Sequence, residues 1–124
     1  MPYKISTMEK WDAVEETEFQ KDGHKIVVVE ECRWGTVYIK NKPDLSGYDP
    51  EKGIEIFSSF DVEDYESEFG TGVQVEYSKS MSKRDIEKIE DFLEDNGKDQ
   101  LGDLGWDEIS FKTTFRGPLK VEEL

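Results

Sequence analysis

The first third of the chain has the clearest alternation of hydrophobic and polar positions. Residues 26–29 (Ile-Val-Val-Val) are all β-branched, and Val37 and Ile39 alternate with other residue types. Such side chains suit a pleated sheet and crowd a helix. Asp22 and Gly23 favour the type I′ turn of a two-residue β-hairpin. The pattern therefore predicts a meander of three strands, at about 14–21, 24–31 and 34–41.

Alternation with a period of two recurs further along the chain, so we expect more strands there. These predicted strands lie at 53–60, 73–77 and 108–116, with a short final strand around 119–121. The acidic stretch 61–69 is interpreted as a connector, and residues 70–72 as the turn before the next strand. Near the N-terminus, Tyr3 and Ile5 fit a short strand, and residues 7–12 fit a short helix or a turn.

One segment repeats its apolar side chains at helical spacing, and these form a single stripe: Ile86, Ile89, Phe92 and Leu93. Ser82 and Asp85 have the spacing of a capping box at the start of this segment. Asn96 and Gly97 are typical of a helix end. The pattern predicts one main helix at about 82–95. Because such a helix is marginal in water on its own, we expect its stripe to pack on the sheet.

The order of these elements predicts an α+β fold in a single domain over residues 1–124. Five to six strands, beginning with the N-terminal meander, form a mainly antiparallel β-sheet packed on the main helix at about 82–95. A chain of 124 residues buries about two-thirds of the surface that its unfolded form exposes. Aromatic residues make up 12% of the chain, which supplies a core and argues against disorder.

The chain is strongly acidic, with 30 acidic and 16 basic residues and a net charge of −14. Such a balance argues against direct binding to DNA, RNA or anionic membranes, because those partners need a basic footprint. Two segments hold most of the charge. Residues 43–69 carry nine acidic side chains and one lysine (net −8), and residues 84–108 carry ten acidic and three basic side chains (net −7).

On the predicted helix, acidic side chains recur at the three- and four-residue spacing that places them in one row: Glu87, Glu90, Asp91, Glu94 and Asp95. Like charges at that spacing repel one another by a few tenths of a kcal/mol, and a cationic partner would relieve the repulsion. The alternative interpretation is that the acidic residues only keep the chain soluble.

Sequence motifs add little chemistry. Cys32 is the only cysteine, so the chain forms neither an intramolecular disulfide nor a cysteine-based zinc site. The common glycine-rich phosphate-binding loops and the EF-hand register are absent, so we expect no cofactor and assign no metal site. A looser group of carboxylates offers weak Ca²⁺ or Mg²⁺ binding without the geometry of a dedicated site: Asp61, Glu63, Asp64, Glu66 and Glu68. No signal peptide or membrane segment is evident, so we expect a cytoplasmic protein.

The leading hypothesis is a non-enzymatic protein whose acidic face binds a basic protein partner. In its sharper form this is a nucleic-acid-mimicking inhibitor of a nucleic-acid-binding protein, by analogy of charge and size with phage-encoded counter-defence and toxin-immunity proteins. Acidic side chains would stand in for phosphates: Asp61, Asp64, Glu66, Glu87, Glu90, Asp91 and Glu94. Tyr65, Phe69 or Trp106 would supply apolar anchoring. No catalytic residue is assigned.

Two alternatives belong to other classes of protein. One is an enzyme or small-ligand carrier that uses a pocket on the sheet, with His24, Tyr38 or Tyr77 as polar groups. The other is a structural subunit of an oligomer that associates through an exposed sheet edge. Neither the partner nor the oligomeric state follows from the sequence.

Overall fold

The protein has an α+β fold with mostly antiparallel strands and one main helix. A computed structural model describes residues 2–124, and for residues 71 and 72 it describes the backbone alone. Within these residues the strands are β1 (Tyr3–Thr7), β2 (Ala13–Lys21), β3 (His24–Ile39), β4 (Ile54–Glu55), β5 (Val62–Tyr77), β6 (Asp107–Phe115) and β7 (Leu119–Glu123). The helices are α1 (Ile56–Ser59), α2 (Lys83–Asp95) and a 3-10 helix (Lys98–Leu104).

The described strands form a sheet in the order β4-β6-β2-β3-β1-β7, and β5 also pairs with β3. Strand β1 is antiparallel to both β3 and β7, with Ile5 opposite Val37 on one side and Val121 on the other. Strand β4 is antiparallel to β6. The contacts of the chain group its residues into two compact units, which are described separately. The first unit comprises residues 2–15, 30–73 and 112–124, and the second comprises residues 16–29 and 74–111.

The predicted hairpin turn is confirmed, but the predicted three-stranded meander is wrong. Asp22 and Gly23 have φ angles of 50° and 80°, as a type I′ turn requires. Beyond the turn, the second and third predicted strands form the single 16-residue strand β3. Arg33 and Trp34 are two consecutive exposed residues, and they shift the phase of the alternation as a bulge does. The apparent break in the pattern is therefore a change of phase within one strand.

Gly35 lies just after this change of phase, in the first unit. Its backbone nitrogen donates to the hydroxyl of Thr7 at 3.1 Å. A Cβ atom at this position would lie 2.7 Å from the ring of Phe115 and 2.8 Å from the Cβ of Ala13. The absence of a side chain therefore leaves room for Phe115, which is fully buried in the core of this unit.

The acidic segment 61–69 is not a connector, which corrects the prediction for this part of the chain. Residues 62–69 belong to β5, another strand of 16 residues, which continues through residues 70–72 to Tyr77. Residue 70 therefore does not begin a turn. A half-exposed strand tolerates charged side chains, and all five acidic side chains of this segment are exposed. The many charged residues obscured the alternation of apolar and polar positions that would have predicted a strand here.

The predicted fourth strand is shorter than expected. Strand β4 has only two residues, and the single turn α1 follows it. Ile56 is buried and Phe60 packs against the same core, and their spacing of four suits one helical turn as well as a strand. At the N-terminus, β1 confirms the predicted strand, and residues 9–11 form a turn rather than a helix.

The main helix and the C-terminal strands agree with the prediction to within about two residues. The Ser82 side chain caps α2, and the Asn96 side chain donates to the carbonyl of Phe92 at its end, at 2.9 Å. Ile89 is the buried centre of the apolar stripe. Strand β6 and the short β7 occupy the predicted segments.

Each unit has its own apolar core. The core of the first unit is Ile5, Ala13, Cys32, Val37, Ile39, Ile56 and Phe115. The core of the second unit is Phe19, Ile26, Val28, Met81, Ile89, Leu101 and Trp106. In the second unit α2 thus packs on strand residues, as its amphipathic pattern predicts. Across the part of the chain that the structure describes, no helix combines the length and apolar character needed to cross a membrane.

Candidate binding site

A cavity of about 720 Å³ lies in the second unit, beside helix α2. One wall is α2, and another is the β2–β3 turn with Lys21, Asp22 and His24. Leu104 and Trp106, which flank the end of the 3-10 helix, complete it. The volume lies within the range of about 300–1,000 Å³ that is typical of ligand-binding pockets.

The apolar part of the lining is continuous with the core of the second unit. We call this part the apolar floor, and its residues are Met81, Ile89, Phe92, Leu104 and Trp106. Trp106 is only 7% exposed, and its backbone nitrogen donates to the carbonyl of Leu101 at 3.2 Å. Its indole N–H has no hydrogen-bond acceptor among the described residues. This nitrogen is not among the fully buried polar atoms that lack a partner, so the donor is open to solvent or to a ligand.

Exposed carboxylates surround the floor, and we call them the acidic rim: Asp22, Asp85, Asp91 and Asp95. Lys21 and Lys88 also line the cavity. The ammonium of Lys21 donates to the carbonyl of Leu104 at 2.7 Å, so part of its charge is already engaged. The rim carries four acidic groups and the lining two lysines, which leaves the cavity net negative.

His24 is the one histidine of the chain and stands in the wall of this cavity. Its Nδ1 lies 2.8 Å from the hydroxyl oxygen of Ser80. Tyr77 belongs to the same unit, and its hydroxyl donates to Glu90 at 3.5 Å. The contact between His24 and Ser80 is within the distance range of a base and a nucleophile, but Ser80 does not line the cavity. The polar groups can bind and orient a ligand.

Helix α2 also presents the five predicted acidic residues to solvent, and we call four of them the acidic row: Glu87, Glu90, Asp91 and Glu94. Among the described residues, none of the four makes an ion pair. Only Asp91 belongs to both the row and the rim. The row is therefore an exposed line of carboxylates that forms no ion pair among the described residues.

The other predicted acidic residues lie in the first unit, on or just before β5. Asp61, Asp64 and Glu66 are exposed. One carboxylate oxygen of Asp64 accepts from the backbone nitrogen of Tyr65 at 2.9 Å. Nearby, Glu68 accepts from the indole nitrogen of Trp34 at 2.7 Å. These residues form a second acidic surface, which belongs to a different unit from the acidic row.

Of the three predicted apolar anchors, Phe69 is the most exposed, at 59%. Tyr65 packs on Phe57 and Phe115, with ring centroids 5.6 and 6.3 Å apart. Its hydroxyl is buried, and burial raises the pKa of Tyr65 to about 12. Tyr65 thus belongs largely to the core of the first unit, and Trp106 belongs to the core of the second.

Cys32 is a buried thiol in the first unit, with the polar side chains of Glu15 and Ser67 beside it. Burial raises the pKa of the Cys32 thiol to about 12, and the charge of Glu15 adds to the rise. The hydroxyl of Ser67 opposes it and also donates to Glu15 at 3.2 Å. The thiol is thus held protonated and is unsuited to nucleophilic chemistry.

A dedicated metal site is not evident in the residues that the structure describes. No three side chains of His, Cys, Asp or Glu converge there as metal ligands do. On β5, Glu63 and Asp64 are consecutive and lie on opposite faces of the strand, and Asp64, Glu66 and Glu68 are spaced about 6–7 Å apart along one face.

Comparisons with known proteins give no relative. No protein-family model matches the chain, and neither a curated protein nor a solved structure is significantly similar to it. The chemistry of the cavity and of the acidic surfaces is therefore the only guide to function.

Proposed function

We propose that this protein is a non-enzymatic binding protein whose acidic surface engages a basic protein partner. The observation that carries the proposal is the acidic row on α2, which is exposed and forms no ion pair among the described residues. Repulsion within the row costs the free protein a few tenths of a kcal/mol for each close pair. A basic surface would remove this cost on binding and would be steered towards the row over long range.

The spacing of the row supports the sharper form of the proposal, in which the protein mimics a nucleic acid and inhibits a protein that binds one. Four carboxylates span residues 87–94, which is about 10 Å of helix axis. A DNA strand carries one phosphate for each ~3.4 Å of axis. The two lines of charge are thus similar in sign and density. The acidic surface on β5, with Asp61, Asp64 and Glu66, offers a second region for the same kind of contact.

An affinity-capture experiment tests this proposal. The tagged protein is immobilised, lysate from the source organism or its host is passed over it, and retained proteins are eluted with increasing salt. We expect a nucleic-acid-binding protein that elutes as salt rises and that added DNA or RNA displaces, because both compete for one basic surface. Retention that is insensitive to both salt and nucleic acid would contradict the proposal.

The cavity beside α2 favours a second candidate function, which is the binding of a small ligand. Its volume, its apolar floor and the side chain of His24 are typical of such a site. A small ligand would raise the melting temperature of the protein by mass action. Reversing the charge of Glu87 or Glu94, which do not line the cavity, would leave that increase unchanged.

A further inference from the structure

We infer that the cavity beside α2 binds a short extended segment of the basic partner, with an apolar side chain in its middle and a basic side chain at each end. This inference rests on the proposed function and deepens it, because it names the part of the partner that enters the cavity. The argument combines the apolar floor, the placement of the acidic rim and the unpartnered indole of Trp106.

The acidic rim is long rather than compact. Asp85 and Asp95 lie ten residues apart on α2, and therefore about 15 Å apart along the helix axis. In an extended segment of five residues, the first and last Cα atoms are about 13 Å apart. Such a segment can place one basic side chain near each end of the rim. A compact amine cannot reach both ends at once.

The centre of the cavity suits an apolar side chain. Ile89 and Phe92 face it from the middle of α2, and the ring of Trp106 lies in the floor. Lys88 also lines the cavity between Asp85 and Asp91, so a cation at the centre of the segment would be repelled. The pattern of charge along α2 thus favours basic residues at the ends and an uncharged residue between them.

The backbone of an extended segment also supplies a hydrogen-bond acceptor for the cavity. The indole N–H of Trp106 is a donor without an acceptor among the described residues, and an extended peptide exposes carbonyl oxygens along its length. A peptide carbonyl that reaches this donor would supply its acceptor, at a residue that is only 7% exposed as a whole.

Three peptides test the inference with the intact protein: acetylated and amidated Arg-Ser-Leu-Ser-Arg, Arg-Ser-Ser-Ser-Arg and Glu-Ser-Leu-Ser-Glu. Each is titrated into ¹⁵N-labelled protein, and the indole resonance of Trp106 is followed by NMR. The first peptide should shift this resonance and bind about tenfold more tightly than the second, because it buries a leucine side chain. The third should not bind. Equal binding of the first two, or an unmoved Trp106 resonance, would overturn the inference.

Protein variants test the charges of the site separately. Asp85→Asn combined with Asp95→Asn should weaken binding of the first peptide by about tenfold. Lys88→Gln should strengthen it by about threefold, an effect that loss of folding cannot produce. Glu76→Gln combined with Glu108→Gln changes the net charge equally at exposed positions outside the cavity, and should change binding by less than about twofold. A rim variant that behaves like this control would contradict the inference.

Two further outcomes separate this inference from its alternatives. Phenethylamine binding as tightly as the first peptide would favour a small-ligand site and overturn the inference. Suppose that binding of a basic partner depends on the acidic row but that none of the peptides moves the Trp106 resonance. The proposed function would then stand, and the inference would be wrong. A partner that ignores the acidic row would instead overturn the proposed function itself.

Discussion

The hydroxyl oxygen of Ser82 accepts a hydrogen bond from the backbone nitrogen of Asp85 at 3.2 Å. This bond satisfies one of the unpaired amides at the start of α2. Asp85 also belongs to the acidic rim of the cavity. The same local bond therefore fixes the first turn of the helix that carries both the rim and the acidic row.

Removing this cap should destabilise the protein. We expect Ser82→Ala to lower the free energy of unfolding by about 1 kcal/mol, as measured by urea denaturation. Ser82→Asp retains an acceptor at the N-cap and should restore most of the loss. Equal destabilisation by both substitutions would show that the hydrogen bond is not the cause.

Gly70 should not tolerate a side chain, because the Trp11 ring and the Glu31 carbonyl occupy the space where its Cβ would lie. We expect Gly70→Ala to lower the free energy of unfolding by about 1–3 kcal/mol through overpacking. Gly47→Ala is the matched control, since its Cβ would have no atom within 4 Å. Similar stability of the two variants would contradict this account of the Trp11 contact.

Arg116 joins several parts of the first unit. Its guanidinium donates to the Trp11 carbonyl at 2.9 Å and to Glu31 at 3.2 Å, and it lies 3.8 Å from Asp12. We expect Arg116→Ala to lower the free energy of unfolding by about 1–2 kcal/mol. Arg116→Lys keeps the charge but loses the planar group that reaches two acceptors, so it should recover only part of the loss. Full recovery with lysine would show that charge alone matters.

The buried thiol of Cys32 should make the protein less stable in alkali. Its pKa is raised from 9.0 to about 12 in the folded protein, so above pH 9 the unfolded chain loses this proton first. The free energy of unfolding should therefore fall as the pH rises from 9 towards 12. Between pH 9 and 10, Cys32→Ala should show a smaller fall in urea denaturation. An unchanged slope in the variant would contradict the assignment to Cys32.

The sequence correctly predicted the elements that interactions between neighbouring residues determine. Asp22 and Gly23 define their turn through backbone conformation, and Ser82 and Asn96 define the ends of α2 through capping bonds. The two long strands were not predictable in the same way. In β3 the alternation of apolar and polar residues changes phase at Arg33 and Trp34. In β5 many residues are charged and have low strand propensity, so pairing with another strand, and not the local sequence, accounts for the strand.

The candidate site was predictable only in part. The acidic row follows from helical spacing within one segment, so sequence alone identified it. The cavity brings together residues near 21–24, 81–96 and 104–106, and no periodicity connects segments so far apart. Sequence reasoning offered Trp106 as an apolar anchor for a partner, and the structure buries it in the cavity floor. This burial was not predictable, because it depends on how α2 and the 3-10 helix pack around the residue.

The most direct test of the account measures the affinity of a captured basic partner for three forms of the protein. One carries Glu87→Lys and Glu94→Lys on the acidic row, one carries Glu9→Lys and Glu123→Lys at exposed positions of the first unit, and the third is unaltered. We expect the row variant to bind about 100-fold more weakly, because each of its two reversed charges should weaken binding by about tenfold. The control should stay within about threefold of the unaltered protein, because long-range charge effects are screened. Equal affinities for the row variant and the control would contradict the claim that the acidic row forms the binding surface.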